Sequence, residues 1–309
     1  MNVGIVIDAT CDLPSSIIER YQVNVLPIHL EFKNISFTDK RLPEQSNQFY
    51  KTTSNQDISN GKISPATTES FSTALAEKWL YQFDNILVIA PHRKINATLQ
   101  SVRLSILEMQ SKFEQLRMQA NLKPAFKIRV IESQSGFAGY GVVLYEALQL
   151  ASEKARSADQ LKQPLDQFIP RIETYVLPGN ANINPHLLGQ PPFNLGWIDQ
   201  KKIKLTKRIP FFKLDIDGVQ QCKLLPIDNI ENNFLEIIYD KLTRTKLKNH
   251  LVNISYAGNL SKLRVLPAFK ALHTHVKIKG GKLVYSVMSP TSSVQLGMNA
   301  ISVAFSSKN

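Results

Sequence analysis

Cysteine is nearly missing from this chain: Cys11 and Cys222 are the two among 309 residues, they lie in opposite halves, and they form no metal-type spacing. Neither a disulfide framework nor a thiolate metal site is expected. No run of 18 apolar residues occurs, so no membrane-spanning helix is expected. Nothing near Met1 combines a basic stretch with an apolar one, which argues against a secretory leader and makes a cytoplasmic protein the simplest expectation. No serine stands in a nucleophile elbow and no pair of carboxylates can be placed together, so a hydrolase mechanism has no residues to rest on. His29, His186, His250, His273 and His275 share no ligand spacing, and neither a metal nor a cofactor is expected.

What is present is enough apolar residue, 43% against 20% charged, to fill a full core and to build two domains. The net charge of +12 has its densest cluster at residues 201–208, Lys-Lys-Ile-Lys-Leu-Thr-Lys-Arg. Phe211 and Phe212 follow Pro210 rather than interleave with these bases, and no zinc-finger, RNP-type or helix-turn-helix signature accompanies them. The cluster reads as a solvated edge or an acidic-partner surface, and nucleic-acid binding is the alternative that salt-dependent binding would reveal.

The chain is organised around residues 84–116. Ile86, Leu87, Val88, Ile89 and Ala90 make a short apolar run with β-branched residues, as expected of a strand buried on both faces of a parallel sheet. After a basic loop containing His92, Arg93 and Lys94, the residues Leu99, Val102, Ile106, Met109, Phe113 and Leu116 recur at steps of three and four, which is one face of a helix. Asn96 stands at the expected N-cap, so the helix start is either an anion site or an ordinary capped end. His92 there is also the acid or base of an alternative in which the crevice is an enzyme acting on a phosphorylated or acyl substrate.

Taken in order, Val3 to Ile7 predict a strand that runs into the polar loop of residues 8–12, with Asp12 as cap and Pro14 in the first turn of the next helix. Ligands of open α/β sheets gather at such carboxyl ends. Residues 23–30 suggest a second extended segment, 36–43 a polar connection and 45–52 a short helix. Residues 61–71 form a hydroxyl-rich loop opening a helix, with Thr67 and Ser70 as a capping pair weaker than one with Glu. Phe126 to Ile131 predict a strand, followed by a long buried helix whose Gly139 and Gly141 are read as packing glycines, since the full phosphate-loop fingerprint is absent. Strand, loop and helix thus repeat, as in a doubly wound parallel sheet.

From about residue 165 the pattern alters. Residues 175–192 are rich in Asn, Pro and Gly; 203–216 and 283–288 read as strands, 235–247 and 260–272 as helices, and Asp217-Gly218 as a hairpin turn. The expected architecture is therefore an α/β domain over residues 1–165 and a second α+β domain over 166–309, with the cleft between them as the default ligand site.

These residues resemble the DegV family of bacterial fatty-acid-binding proteins. Ile7-Asp8-Ala9-Thr10-Cys11-Asp12-Leu13-Pro14 is similar to the family's D-S-T-A-D-L-P start, and Val25-Leu26-Pro27-Ile28 to its V-V-P-L strand. Residues 64–71 resemble the T-S-Q-P-S-P-G-E-F loop, residues 96–102 the S-G-T-Y-Q-S-A segment, and residues 131–135 with Gly139 and Gly141 the V-I-D-S-x-S segment and its glycines. Asp217-Gly218 and Gln295-Leu296-Gly297-Met298-Asn299 occupy the places of the D-G turn and the H-x-G-P-G loop. The resemblance implies a DegV-like fold and one long-chain fatty acid held between two domains. The family members are not themselves enzymes, and some present the acid to a separate fatty acid kinase.

The resemblance also implies a polar mouth built from Thr10, Ile63, Ser64, Thr67, the Asn96-Ala97-Thr98 helix start and Gln295. In this alignment the family's carboxylate-binding threonine falls on Ile63, which cannot donate, or on Ser64 after a one-residue slip. Its binding serine falls on Asn96, its last-loop histidine on Gln295, and the arginine-rich segment after the D-G turn becomes residues 225–229, Leu-Pro-Ile-Asp-Asn. His92 and Arg93, with Lys94, are either cationic contacts for the carboxylate or solvent-facing.

Overall fold

The computed structural model describes residues 2–32, 35–153, 156–179, 193 and 195–308. Thirteen strands among them, β1 (Val3–Asp8), β2 (Asn24–Leu26), β3 (Ile28–Phe32), β4 (Ile35–Asp39), β5 (Lys62–Ser64), β6 (Asn85–Ala90), β7 (Lys127–Glu132), β8 (Ile172–Leu177), β9 (Arg208–Asp215), β10 (Gly218–Pro226), β11 (Leu247–Tyr256), β12 (Lys282–Val287) and β13 (Ile301–Ser307), form three sheets. The first is parallel, in the order β2-β1-β6-β7. Alternate side chains of its strands face opposite layers, as the pleat requires. Val6, Ile86 and Val88 pack under Phe71, Leu75, Trp79 and Val102, while Ile5, Ile7, Leu87 and Ile89 pack under the Phe137–Glu153 helix. This is the expected α/β sheet covered on both faces.

The second sheet is mixed, in the order β10-β9-β8-β13-β11-β12. One of its faces lies on the helices Ile230–Arg244 and Pro267–Ile278, enclosing Tyr175, Val252, Ile254, Val303 and Phe305. Its other face meets the Phe137–Glu153 helix, so this helix is shared by both sheets, and Leu251 and Ala304 join the core beneath it. The third sheet is a small antiparallel one, β4-β3-β5. No helix among the described residues is long and apolar enough to cross a membrane.

Several expectations are corrected. The extended segment 23–30 is broken at Pro27 into β2, in the parallel sheet, and β3, in the small one; proline cannot donate to a ladder, and the chain changes partners there. The polar connection 36–43 contains β4, paired with β3. Residues 203–206 belong to a helix, Trp197–Thr206, that carries most of the basic cluster before β9 begins. The helical segment 260–272 divides at Pro267, which opens the second helix in its first turn. The Asp217-Gly218 turn joins β9 to β10 as expected, with Gly218 at φ +106°. The Asn- and Pro-rich stretch from 180 to 192 and His186 lie outside the described residues.

Asp12 does not cap the following helix, whose start at Ser15 has no side-chain cap. Its carboxylate turns inward. Oδ1 accepts the Ser289 N–H at 2.8 Å, Oδ2 accepts the Ser255 hydroxyl at 2.8 Å, and the Arg41 guanidinium lies 3.7 Å away. Arg41 also donates to the Leu13 carbonyl at 2.8 Å. Asp39 accepts the Thr291 N–H and hydroxyl. All three charged residues are buried, and together they tie the loop after β1 to the end of β4 and to the Pro290–Leu296 helix. Inner polar groups win over the local cap because a buried carboxylate needs several donors, and the cap position offers fewer.

The two packing glycines do what was expected of them. A Cβ on Gly139 would lie 1.9 Å from Thr174 Oγ1, and one on Gly141 would lie 2.3 Å from the Asp12 carbonyl oxygen. Alanine normally stabilises a helix interior by about 1 kcal/mol over glycine, but Gly141→Ala meets backbone here. Urea unfolding is expected to show a loss of about 2 kcal/mol; a gain would contradict the docking.

Burial raises the Asp12 carboxyl to about 6, with the Arg41 guanidinium opposing the shift. The folded chain then holds a proton between about pH 4 and 6 that the unfolded chain has lost, so this site's contribution to stability falls as pH rises through that window. Asp8 and Asp39 are shifted in the same direction, also by burial. Across that range the stability of the wild type relative to Asp12→Asn is expected to decline by roughly 3 kcal/mol. Urea midpoints whose difference stays constant with pH would refute the assignment.

Candidate functional site

In the parallel sheet β1 is flanked by β2 on one side and β6 on the other, so the chain changes direction between β1 and β6. The loops at the carboxyl ends of such a pair are splayed apart and leave a crevice. Here they are residues 8–13 and 91–98. Ala9 and Thr10 are fully buried, and so is Asp8, the last residue of β1.

Asp8 is the centre of this loop cluster. Its Oδ1 accepts the Thr10 N–H at 3.0 Å and the Thr10 hydroxyl at 2.5 Å, and its Oδ2 accepts the Asn96 side-chain amide at 2.9 Å. Its own N–H donates to the Tyr140 hydroxyl, which in turn donates to the Ile89 carbonyl. Burial pushes the Asp8 carboxyl up, and hydrogen bonds from Thr10 and Asn96 oppose the shift. Thr98 is buried at the same place; its hydroxyl favours the Asp8 carboxylate from close by but makes no bond of full geometry.

The helix after β6 spans Thr98–Met109, and its cap position is Ala97, which brings no side-chain bond. Asn96, expected as the cap, lies one residue earlier. It serves the helix all the same, since its Oδ1 accepts the Thr98 N–H at 3.0 Å while its amide nitrogen holds Asp8. His92 is buried, and its Nδ1 accepts the Lys94 N–H at 3.0 Å. Burial lowers its pKa, so the ring is neutral near pH 7 and acts as a turn post. Arg93 has its N–H on Glu132 Oε1, and its side chain is exposed.

Outside this cluster lies a cleft of about 470 Å³ lined by Arg93, Lys94, Ile95, Asn96, Ala97, Leu99, Gln100, Arg103 and Leu104. It therefore combines apolar walls with three cationic side chains. Arg93 and Lys94 are the cations that the sequence offers as carboxylate contacts, and Arg103 joins them only in the structure. Arg103 was legible in principle, because it stands one helical turn after Leu99. The place of Asp8 was less so: its carboxylate shows its role only once Thr10 and Asn96 are seen to face it.

Gln295 reaches the same loop from the other end of the chain, donating through Nε2 to the Ile95 carbonyl at 2.9 Å, while its buried Oε1 has no partner among the described residues. Ile63 packs against the cluster that holds Ala9, Ile28, Leu30 and Val294; Ala9 is next to Thr10 in sequence, and Val294 next to Gln295. Ser64 is exposed and pairs with His29 across β3 and β5. Thr67 is exposed too, and forms a reciprocal capping box with Ser70, a fuller cap than expected. Thr10, Asn96 and Thr98 thus gather at Asp8, Gln295 and the cleft residues adjoin them, and Ser64 and Thr67 stand on exposed positions.

Beneath this mouth runs an apolar cluster that includes Ile95, Phe137, Val176, Phe212, Met288 and Leu296. It joins the crevice of the parallel sheet to the inner edge of the mixed one. Among the described residues no group of three or more His, Cys, Asp or Glu side chains is placed to hold a metal ion.

Comparison with known proteins gives a consistent picture. Residues 2–182 match the family model described as uncharacterised protein, DegV family. A DegV domain-containing protein of Xanthomonas campestris pv. campestris is 24% identical over 318 residues, covering 100% of this chain and 98% of that protein. Among solved structures, a DegV lipid-binding protein of Thermotoga maritima superposes with a TM-score of 0.76 at 16% identity, covering 100% of this chain and 99% of the other. A stearic acid-binding protein of Eubacterium ventriosum gives 0.75 at 14%, covering 99% and 98%. At such identities the likeness is one of fold.

The bonds of Asn96 lead to a test. Asn96→Ala removes both the Asp8 contact and the Thr98 cap, and is expected to cost about 2 kcal/mol in urea unfolding. Thr67→Ala, which removes only an exposed cap, is expected to cost about 1 kcal/mol. Equal losses would mean that Asp8 does not depend on Asn96.

Proposed function

The chain belongs to the DegV family, and from that premise we propose that it is a non-enzymatic carrier of one long-chain fatty acid. The observation that carries this reading is the end-to-end likeness of its fold to lipid- and stearic acid-binding proteins. Apolar side chains beneath a cationic, hydrogen-bonding mouth support it. In this reading residues 1–165 carry the head-group loops, residues 166–309 close over the acyl chain, and the chain lies along the cluster that begins at Ile95 and Phe137.

The physical balance is favourable. Burying about fourteen methylenes at roughly 0.8 kcal/mol each contributes on the order of 11 kcal/mol before ordering costs. The carboxylate then meets Arg93, Lys94 and Arg103 with the backbone at Ala97, rather than the Asn96 amide, which is engaged by Asp8. Gln295 and Thr98 stand behind these as polar contacts, with Thr10, Ile63, Ser64, Thr67 and His92 as the surrounding wall. Such a carrier works in the cytoplasm and presents its head group to a partner, which in this reading is a fatty acid kinase.

Native mass spectrometry of the protein as purified, followed by organic extraction, tests the proposal. One acyl ligand per chain is expected, and Arg93→Gln with Arg103→Gln is expected to weaken binding of added stearate about tenfold while the fold persists. A protein that carries no lipid and binds no added stearate would overturn the reading.

A further inference from the structure

Residues 241–309 contain 11 Lys and Arg and no Asp or Glu. This is a second basic region, separate from residues 201–208 and from the cleft at Arg93. The fold gathers part of it around a cleft of about 360 Å³, walled by Arg244, Lys246, His250, His275, Lys279 and Lys308. These come from the end of the Ile230–Arg244 helix, the start of β11, the end of the Pro267–Ile278 helix and the residue after β13. No acidic residue lines the cleft.

Some of that charge answers the two helix ends. Their carbonyl termini together present about one negative elementary charge, whereas Arg244, Lys246, Lys279 and Lys308 supply four positive ones. None of these four takes part in an ion pair among those of the described residues. The surplus is held in a concave site, which focuses the field. The backbone is also unusual here. His250 has φ +56°, and the register of β11 against β13 shifts between Leu247 and Val252. A non-glycine residue in the left-handed region and an irregular ladder both cost free energy and recur at ligand sites.

We propose that this cleft binds phosphate groups. A single carboxylate cannot offset four cations, whereas a polyphosphate or clustered phosphate head groups can, and the Arg244 fork suits phosphate oxygens. The site lies away from the head-group cleft and shares no lining residue with it, so it is independent of acyl binding.

The test uses the full chain at low salt with two ligands: inorganic pyrophosphate, followed by calorimetry, and phosphatidylglycerol-containing vesicles against phosphatidylcholine vesicles, followed by co-sedimentation. A Lys246→Gln, Lys279→Gln, Lys308→Gln variant removes three charges whose side chains make no described hydrogen bond. A Lys201→Gln, Lys204→Gln, Lys207→Gln variant removes the same charge elsewhere. Affinity for at least one ligand is expected to fall roughly tenfold or more in the first variant and to change little in the second. Binding of pyrophosphate identifies a soluble phosphate compound as the source; binding of the anionic vesicles alone identifies a lipid head group. Absence of binding to both, or equal weakening in the two variants, would overturn the proposal.

Discussion

The buried charge of Asp12 is the constraint on which the rest of the arrangement depends. It sits at the junction of all three sheets, and each of its contacts belongs to a different segment: Arg41 after β4, Ser255 at the end of β11, and Ser289 before the Pro290–Leu296 helix. A carboxylate out of water costs several kcal/mol unless its oxygens are fully bonded. The placement of these segments seen here satisfies it with two hydrogen bonds and a nearby guanidinium. Asn253 adds to the constraint from the same face, donating to the carbonyls of Asp12 and Ala138. The close docking of the shared helix through Gly139 and Gly141 is thus a consequence of polar groups that must meet, as much as of apolar burial.

That junction fixes the loop after β1, and the loop fixes the mouth. With residues 11–13 held from below, Asp8 and Thr10 project toward the loop after β6, where Asn96 meets them. The mouth is therefore organised around an acceptor rather than around free donors. Side chains expected to hold an anion are partly engaged inside the protein: the Asn96 amide by Asp8, and the Gln295 amide by the Ile95 carbonyl. The cations of Arg93, Lys94 and Arg103 lie on the outer side, along the cleft, and leave it attractive to an anion.

The sequence pattern carried the layered architecture well, because it follows from period. The run Ile86–Ala90 is buried on both sides, and Leu99, Val102 and Phe113 all end in the core, although the helix expected through residue 116 stops at Met109 and a second one starts at Phe113. Failures occurred where long-range partners override local signals. Asp12 looked like a helix cap because its partners, Ser255 and Ser289, are 243 and 277 residues away. Residues 36–39 read as a loop because the run 23–30 carries no local sign that its second half, β3, has β4 as its partner. At the site, Thr10 and Asn96 were legible from their positions after strands; the pairing of both with one carboxylate was not, since hydrogen-bond direction has no imprint in composition or period.

The altered mouth is compatible with a carrier for an energetic reason. In the proposed reading the acyl chain supplies the greater part of the affinity, on the order of 11 kcal/mol before ordering costs, and the apolar cluster that receives it keeps its large side chains, with Phe193 and Phe212 rings 4.3 Å apart. These rings touch, so in the proposed reading an acyl chain lying between them parts them, and some of the burial energy goes into that rearrangement. The head group contributes a few kcal/mol at most through charge-assisted bonds. In that reading Ile63, which cannot donate, and Gln295, which carries no charge, bear on how the carboxyl is oriented and displayed, while the apolar cluster retains the lipid. In the proposed reading retention and presentation are therefore separable: the first rests on the cluster from Ile95 to Leu296, the second on the residues around Asp8 and the cleft beside it.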